Sequence, residues 1–154
     1  MHEIQRPRIL VIDDDEGIRK VITTALSTEG YLVDCASTGN EAIKKSKNNF
    51  YNLALVDIRL PDMDGTRLLT AMKETTPEMR KIILTGYPAL QNSIQAVNNG
   101  AHGYLVKPIN MEDLLRMVEE NLRKQREAKE YSQQKVAGYV ETRLREIQEE
   151  DKSA

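Results

Sequence analysis

Five short runs rich in Val, Ile and Leu punctuate the first 120 or so residues. They are Ile9-Leu10-Val11-Ile12, Tyr31-Leu32-Val33, Leu53-Ala54-Leu55-Val56, Ile82-Ile83-Leu84 and Gly103-Tyr104-Leu105-Val106. Near-continuous apolar runs of this length belong to a sheet covered on both faces, hence a parallel one. Between them apolar residues recur at three and four. Ile18, Val21, Ile22, Ala25 and Leu26 form one such series. Leu68, Leu69 and Met72 form another, then Ile94, Val97 and Ala101, then Leu114, Leu115, Val118 and Leu122. That is the spacing of helices with one apolar face. The pattern predicts five repeats of strand then helix, a doubly wound α/β domain.

Turn chemistry agrees with this division. Gly30, Gly100 and Gly103 follow helical stretches, where glycine is expected to end a helix. Asp62, Asp64 and Gly65 supply turn and N-cap groups before the Leu68 helix. The composition then shifts near Asn121. Arg123 to Glu130 is almost all charge, and Val136, Tyr139, Val140, Leu144 and Ile147 make a weak stripe interrupted by Gly138. About 30 residues of this kind cannot bury a core of their own. The expectation is a domain over residues 1–123 and a charged helical extension over 124–154, frayed at its end.

Composition narrows the class. The chain has 154 residues and a net charge of -2, so no bulk electrostatic attraction to nucleic acid or anionic membrane is expected. Trp is absent and aromatic residues are few, which weakens base stacking. The single cysteine, Cys35, excludes an internal disulfide and reads as a buried thiol on a strand. The first residues lack a signal-peptide core, and no run approaches the roughly 18 apolar residues of a membrane span. A cytoplasmic location is the expectation.

In an open parallel sheet, sites form at the carboxyl ends of the strands. Asp13, Asp14 and Asp15 follow the first run, and Asp57 follows the third. Thr85 follows the fourth, and Lys107 follows the fifth, with Pro108 opening the next turn. Folding brings these groups to one rim. Close carboxylates resist being ionised together. Mg2+ relieves that conflict, because it takes oxygen ligands, including one or two carboxylates. A carboxylate can attack phosphorus to give an acyl phosphate. A lysine and a hydroxyl can then hold the phosphoryl oxygens.

Each residue alone has a plainer reading. Asp13 to Asp15 could cap a helix, Asp57 could sit in a turn, Thr85 could start a loop and Lys107 could be a solvated charge. Four unrelated turns rarely supply a matching set at the same edge, so the joint placement favours a site. His2 and His102 lack neighbouring ligands and read as surface or loop residues.

The residues Ile-Leu-Val-Ile-Asp-Asp-Asp-Glu, Leu-Val-Asp-Ile-Arg-Leu-Pro-Asp-Met-Asp-Gly, Ile-Leu-Thr-Gly-Tyr and Gly-Ala-His-Gly-Tyr-Leu-Val-Lys-Pro carry a resemblance. From about Arg8 to Arg123 the chain resembles the receiver domain of two-component response regulators. The resemblance implies the flavodoxin-like receiver fold, with five helices and a five-stranded parallel sheet in the order 2-1-3-4-5. It implies that Asp57 is the phosphoacceptor, with a sensor histidine kinase as donor. Asp13, Asp14, Asp57 and the backbone carbonyl of Arg59 would hold Mg2+. Thr85 and Lys107 match the switch hydroxyl and the phosphoryl-binding lysine, and Tyr104 the aromatic that turns on phosphorylation. It implies a signalling module rather than an enzyme. Asp15 has no role in that set and reads as helix-start chemistry.

Two rivals fail on residues. A haloacid dehalogenase phosphatase carries Asp-x-Asp-x-Thr or Val after its first strand, and here the last position is Gly17. A flavodoxin-like cofactor site needs a phosphate-cradling loop at that point, where acidic residues stand instead. No helix-turn-helix pattern follows the receiver, so no direct nucleic-acid contact is expected of this chain. The resemblance leaves two readings, a stand-alone receiver with a helical tail or a piece of something longer. The apolar stripe past Arg123 suggests a weak homodimer or a docked partner, through the last helix and the face built from the Ile94 helix, the fifth strand and the helix after it.

Overall fold

A computed structural model of the chain describes residues 5–86 and 100–153. Five strands form one parallel sheet: β1 (Arg8–Ile12), β2 (Leu32–Ala36), β3 (Leu53–Asp57), β4 (Arg80–Thr85) and β5 (Gly103–Val106). Their order is β2-β1-β3-β4-β5, as the resemblance implies. The register is continuous across the centre: Val11 lies beside both Cys35 and Leu55, and Leu55 beside Ile82.

The helices are α1 (Glu16–Thr28), α2 (Gly39–Asn48), α3 (Gly65–Thr75) and α4 (Met111–Lys152). Because side chains alternate across a strand, each central strand feeds two cores. Leu10, Ile12, Ala54, Val56 and Ile83 face α2 and α3, packing with Ala42, Leu68, Leu69 and Met72. Ile9, Val11, Leu53, Leu55, Ile82 and Leu84 face α1 and the start of α4, packing with Ile22, Leu26, Leu114, Val118 and Leu122. This two-sided burial explains why the central strands read as unbroken apolar runs.

Several expectations change. Four helices, not five, are present among the described residues. The expected helix through Ile94 and Val97 lies outside them, as does His2. The helix after β5 runs on through the extension as expected, forming one segment, α4, but it stays helical to Lys152 rather than fraying. Gly103 opens β5 rather than ending a helix, and a Cβ there would come within 2.8 Å of Met117 Sδ. Gly30 does end α1, with φ of 92° and its N–H donating to Ser27 O at 3.0 Å. Cys35 is half-buried, since β2 is an edge strand, and its Sγ lies 3.3 Å from Thr23 Oγ1. Val21 is exposed, whereas Ile22 and Leu26 carry the α1 contact. His102 is exposed, and its Nδ1 accepts the Lys81 N–H at 3.0 Å.

The chain divides into two compact units, Met1–Leu122 and Arg123–Ala154. The second is helical to Lys152. Within it Val136, Tyr139, Val140, Leu144 and Ile147 are all exposed. Pairs one turn apart line its surface, including Arg123 with Glu127 at 3.9 Å and Arg145 with Glu141 at 2.8 Å. Such pairs add little stability each. No described helix is long and apolar enough to cross a membrane.

Candidate phosphoryl-accepting site

The rim at the carboxyl end of the sheet is built by strand endings. The peptide after β1 continues the pairing with β2 for one residue, the Asp13 N–H donating to Ala36 O at 3.1 Å. That step buries the Asp13 side chain completely. Its Oδ1 accepts the Asp15 N–H at 2.9 Å, while Arg19 Nη1 donates to the Asp13 carbonyl at 2.7 Å. Asp14 is exposed. Asp15 caps α1, accepting the Ile18 N–H at 3.0 Å, as its position suggests.

Asp57 is the last residue of β3, between β1 and β4, and is 4 % exposed. Its Oδ1 accepts the Arg59 N–H at 3.1 Å. Lys107 reaches the centre from the end of β5. Its Nζ lies 2.9 Å from Asp13 Oδ2 and 3.4 Å from Asp57 Oδ2. The Lys107 N–H donates to the Thr85 carbonyl at 2.6 Å, fixing the ends of β4 and β5 side by side. Thr85 is fully buried at the end of β4. The Lys107–Pro108 peptide is cis. Tyr104 is half-buried on β5 and packs against the α2–α3 side of the core.

Charge follows from this geometry. Burial pushes the Asp57 carboxyl up, Asp13 adds to the rise, and the Arg59 N–H and Lys107 oppose it, leaving it at about 6. Burial acts to lower the Lys107 ammonium, but Asp13 and Asp57 outweigh it and raise it. One carboxylate oxygen from each of Asp13, Asp14 and Asp57 lies within 4.8 Å of the others. Three carboxylates facing one ammonium leave an excess of two negative charges. Together with the solvent exposure of Asp14, that donor set suits a hard divalent cation that keeps part of its water shell.

The structure thus gathers Asp13, Asp14, Asp57 and Lys107, with Thr85 on the adjoining strand end. Arg59 is exposed, two residues past Asp57. Sequence reading missed three supports. Arg19 braces the Asp13 carbonyl. Gly65 lies so close to β3 that a Cβ would be 2.6 Å from Ile58 Cα and 2.7 Å from Asp57 O. Asp62, read as a turn residue, accepts N–H groups from Gly39 and Asn40 at 2.8 and 2.9 Å. Arg19 stands near the acidic motif and could have drawn notice, and Gly65 was read only as a turn residue, not for its closeness to β3. The partners of Asp62 lie more than 20 residues earlier, and no local signal joins them.

Comparison with known proteins follows the same lines. Residues 9–119 match the family model described as the response regulator receiver domain. The chain is 31% identical over 123 residues to the regulatory protein AtoC of Escherichia coli, covering 80% of this chain and 27% of that one. It is 35% identical over 127 residues to the DNA-binding transcriptional regulator NtrC of Proteus hauseri, covering 82% of this chain and again 27% of the relative. The chain therefore spans about a quarter of the length of these curated relatives. Among solved structures, a CheY-like receiver domain protein from Methanospirillum hungatei superposes with a TM-score of 0.79 at 44% identity, covering 80% of this chain and 99% of that one. The beryllofluoride-activated NtrC4 receiver domain dimer has a TM-score of 0.74 at 33% identity, over 77% of this chain and 98% of that one.

Proposed function

This chain belongs to the response regulator receiver family, and on that premise we propose that Asp57 accepts a phosphoryl group from a sensor histidine kinase. The observation that carries the reading is the position of Asp57, a buried carboxylate that shares Lys107 with Asp13 and completes a three-carboxylate cluster. A carboxylate oxygen of Asp57 attacks phosphorus. The new P–O bond forms as the P–N bond of the phosphohistidine breaks, and the histidine nitrogen leaves with the electron pair.

Mg2+ would be held by Asp13, Asp14, Asp57 and the Arg59 carbonyl, and when bound supplies the positive charge that lets a carboxylate meet an anionic phosphoryl group. Lys107, already 3.4 Å from Asp57 Oδ2, is placed to neutralise a phosphoryl oxygen. Thr85, one residue past Leu84, the neighbour of Asp57 on β4, supplies the hydroxyl. The phosphoryl group adds roughly one and a half to two negative charges. Drawing Thr85 toward it would free space beside Tyr104 on β5 and bias the face that Tyr104 borders.

Residues 1–123 form the phospho-accepting unit in this reading, and residues 124–154 its helical extension, which pairs weakly with a second copy. The module signals in the cytoplasm by protein contact, is not itself an enzyme and makes no direct contact with nucleic acid.

Acetyl phosphate with Mg2+ tests the chemistry, read by intact mass. The wild-type chain should gain one phosphoryl group and Asp57→Asn none. Lys107→Ala should still be labelled but lose the accompanying amide shifts in NMR spectra. Equal labelling of Asp57→Asn would remove the assignment, and equal shifts in Lys107→Ala would remove the switch.

A further inference from the structure

We infer that Asp62 is a positioning residue for this site: it pins the tip of the Ile58–Asp64 loop to the first turn of α2 and so holds Arg59 beside Asp57. The inference rests on the phosphoryl-accepting reading above.

The base of the loop is closed by backbone bonds. Ile58 N–H donates to Leu84 O at 3.1 Å, and Gly65 N–H donates to Ile58 O at 2.8 Å. Arg59 and Asp64 form a bridge between the two limbs. The tip has no such ladder, and Pro61 and Asp62 are exposed. What meets the tip is the beginning of α2. A helix leaves its first N–H groups without partners. Thr38 takes the Glu41 N–H at 3.1 Å. Asp62 takes the two before it, Gly39 at 2.8 Å through Oδ1 and Asn40 at 2.9 Å through Oδ2.

The division of labour is complete: the local cap serves the third donor, and a carboxylate from another element serves the first two. A negative charge is favoured at that helix end. The Asn40 and Gly39 N–H groups hold the Asp62 carboxyl below its usual range.

Packing supports the same contact independently. Met63 lies directly over Gly39, where a Cβ would be 2.4 Å from its Sδ. Met63 and Leu60 also pack on the α2–α3 side of the core. The loop is thus anchored at its tip by a two-oxygen clamp and a close-packed thioether. Arg59 sits between that anchor and Asp57, with its N–H on Asp57 Oδ1 at 3.1 Å. Releasing the tip lets the peptide carrying the proposed carbonyl ligand drift. Residues supporting a metal ligand from behind are typically worth about 10-fold or more in affinity.

A simple helix-capping role would lower the melting temperature and leave metal affinity alone, so Mg2+ binding is the deciding readout. The full chain is titrated with Mg2+ by calorimetry, and the labelling rate with acetyl phosphate is followed by intact mass at limiting Mg2+. Asp62→Ala should weaken Mg2+ binding about 10-fold and slow labelling to match. Asp62→Asn should fall between, because one acceptor oxygen remains. Gly39→Ala keeps the N–H that Asp62 accepts but forces Met63, the next residue along the loop, to move, and should weaken binding in the same direction. Wild-type affinity in a folded Asp62→Ala chain overturns the inference. Should that variant fail to fold, wild-type affinity in both Asp62→Asn and Gly39→Ala overturns it. A wild-type chain that binds no Mg2+ removes the underlying reading instead, so the two failures are distinct.

Discussion

Asp57 is held in an environment that disfavours its own charge. Burial raises its carboxyl, Asp13 adds to this, and the opposing Arg59 N–H and Lys107 leave it at about 6. An unfolded chain has an ordinary aspartate near 3.8. Between these values the folded protein holds more protons than the unfolded one. Stability therefore falls as pH rises through that window, and the metal-free protein is least favoured once Asp57 is ionised. Asp57→Asn removes the cost but also deprives Lys107 of one partner, so the net gain should be modest. Without Mg2+ at pH 7.5 the variant should be more stable by on the order of 1 kcal/mol, and the gap should close as pH falls toward 4. Thermal melts across that range, with chelator present, would check it; a gap that widens in acid contradicts the sign. Asp13, Asp57, Thr85 and Lys107 were legible because each ends a recognisable apolar run. Asp62 was not, because its meaning depends on two donors in another element.

At the level of elements, α3 starts unusually close to β3. Gly65 is its first residue, behind the cap Asp64, which accepts the Thr66 N–H at 2.9 Å. A Cβ at Gly65 would meet backbone atoms of Ile58 and Asp57, which cannot swing aside as a side chain can. Gly65→Ala should therefore cost about 1–3 kcal/mol and slow labelling, since relief requires moving the peptide that carries Asp57. A melt and the acetyl phosphate assay together test this; an unchanged melt would mean the loop yields freely. The strands were readable because two-sided burial makes them apolar throughout. The helix α2 was poorly marked, since only Gly39, Ala42 and Ser46 are buried and none is a large apolar residue. The continuation of α4 past Arg123 was expected as a helical extension, although Gly138 interrupts its apolar stripe. Good helix formers and pairs such as Arg145 with Glu141 continue it to Lys152.

At the scale of the whole chain, the second unit has its own unmet need. Val136, Val140, Leu144 and Ile147 recur at four, four and three and are all exposed. They span under three heptads, so any seam they form is weak without further contacts. The full chain should show concentration-dependent mass in light scattering, and a version ending at Gln125 should not. The truncation should also lose helical circular dichroism in proportion to the residues removed. Equal mass at every concentration would contradict self-pairing, and loss of only coil signal would contradict the helix.

The amino-acid pattern by itself determined the class of fold, the strand positions and the acidic, hydroxyl and basic groups at the strand ends. Those follow from local periodicity, and a parallel sheet places every strand ending at one rim. Only the tertiary structure decided how the groups meet: Lys107 between Asp13 and Asp57, the raised carboxyl of Asp57, and the clamp from Asp62 to α2. Each joins residues distant in sequence. Their energies depend on burial and on separations of a few ångströms, which no local pattern records.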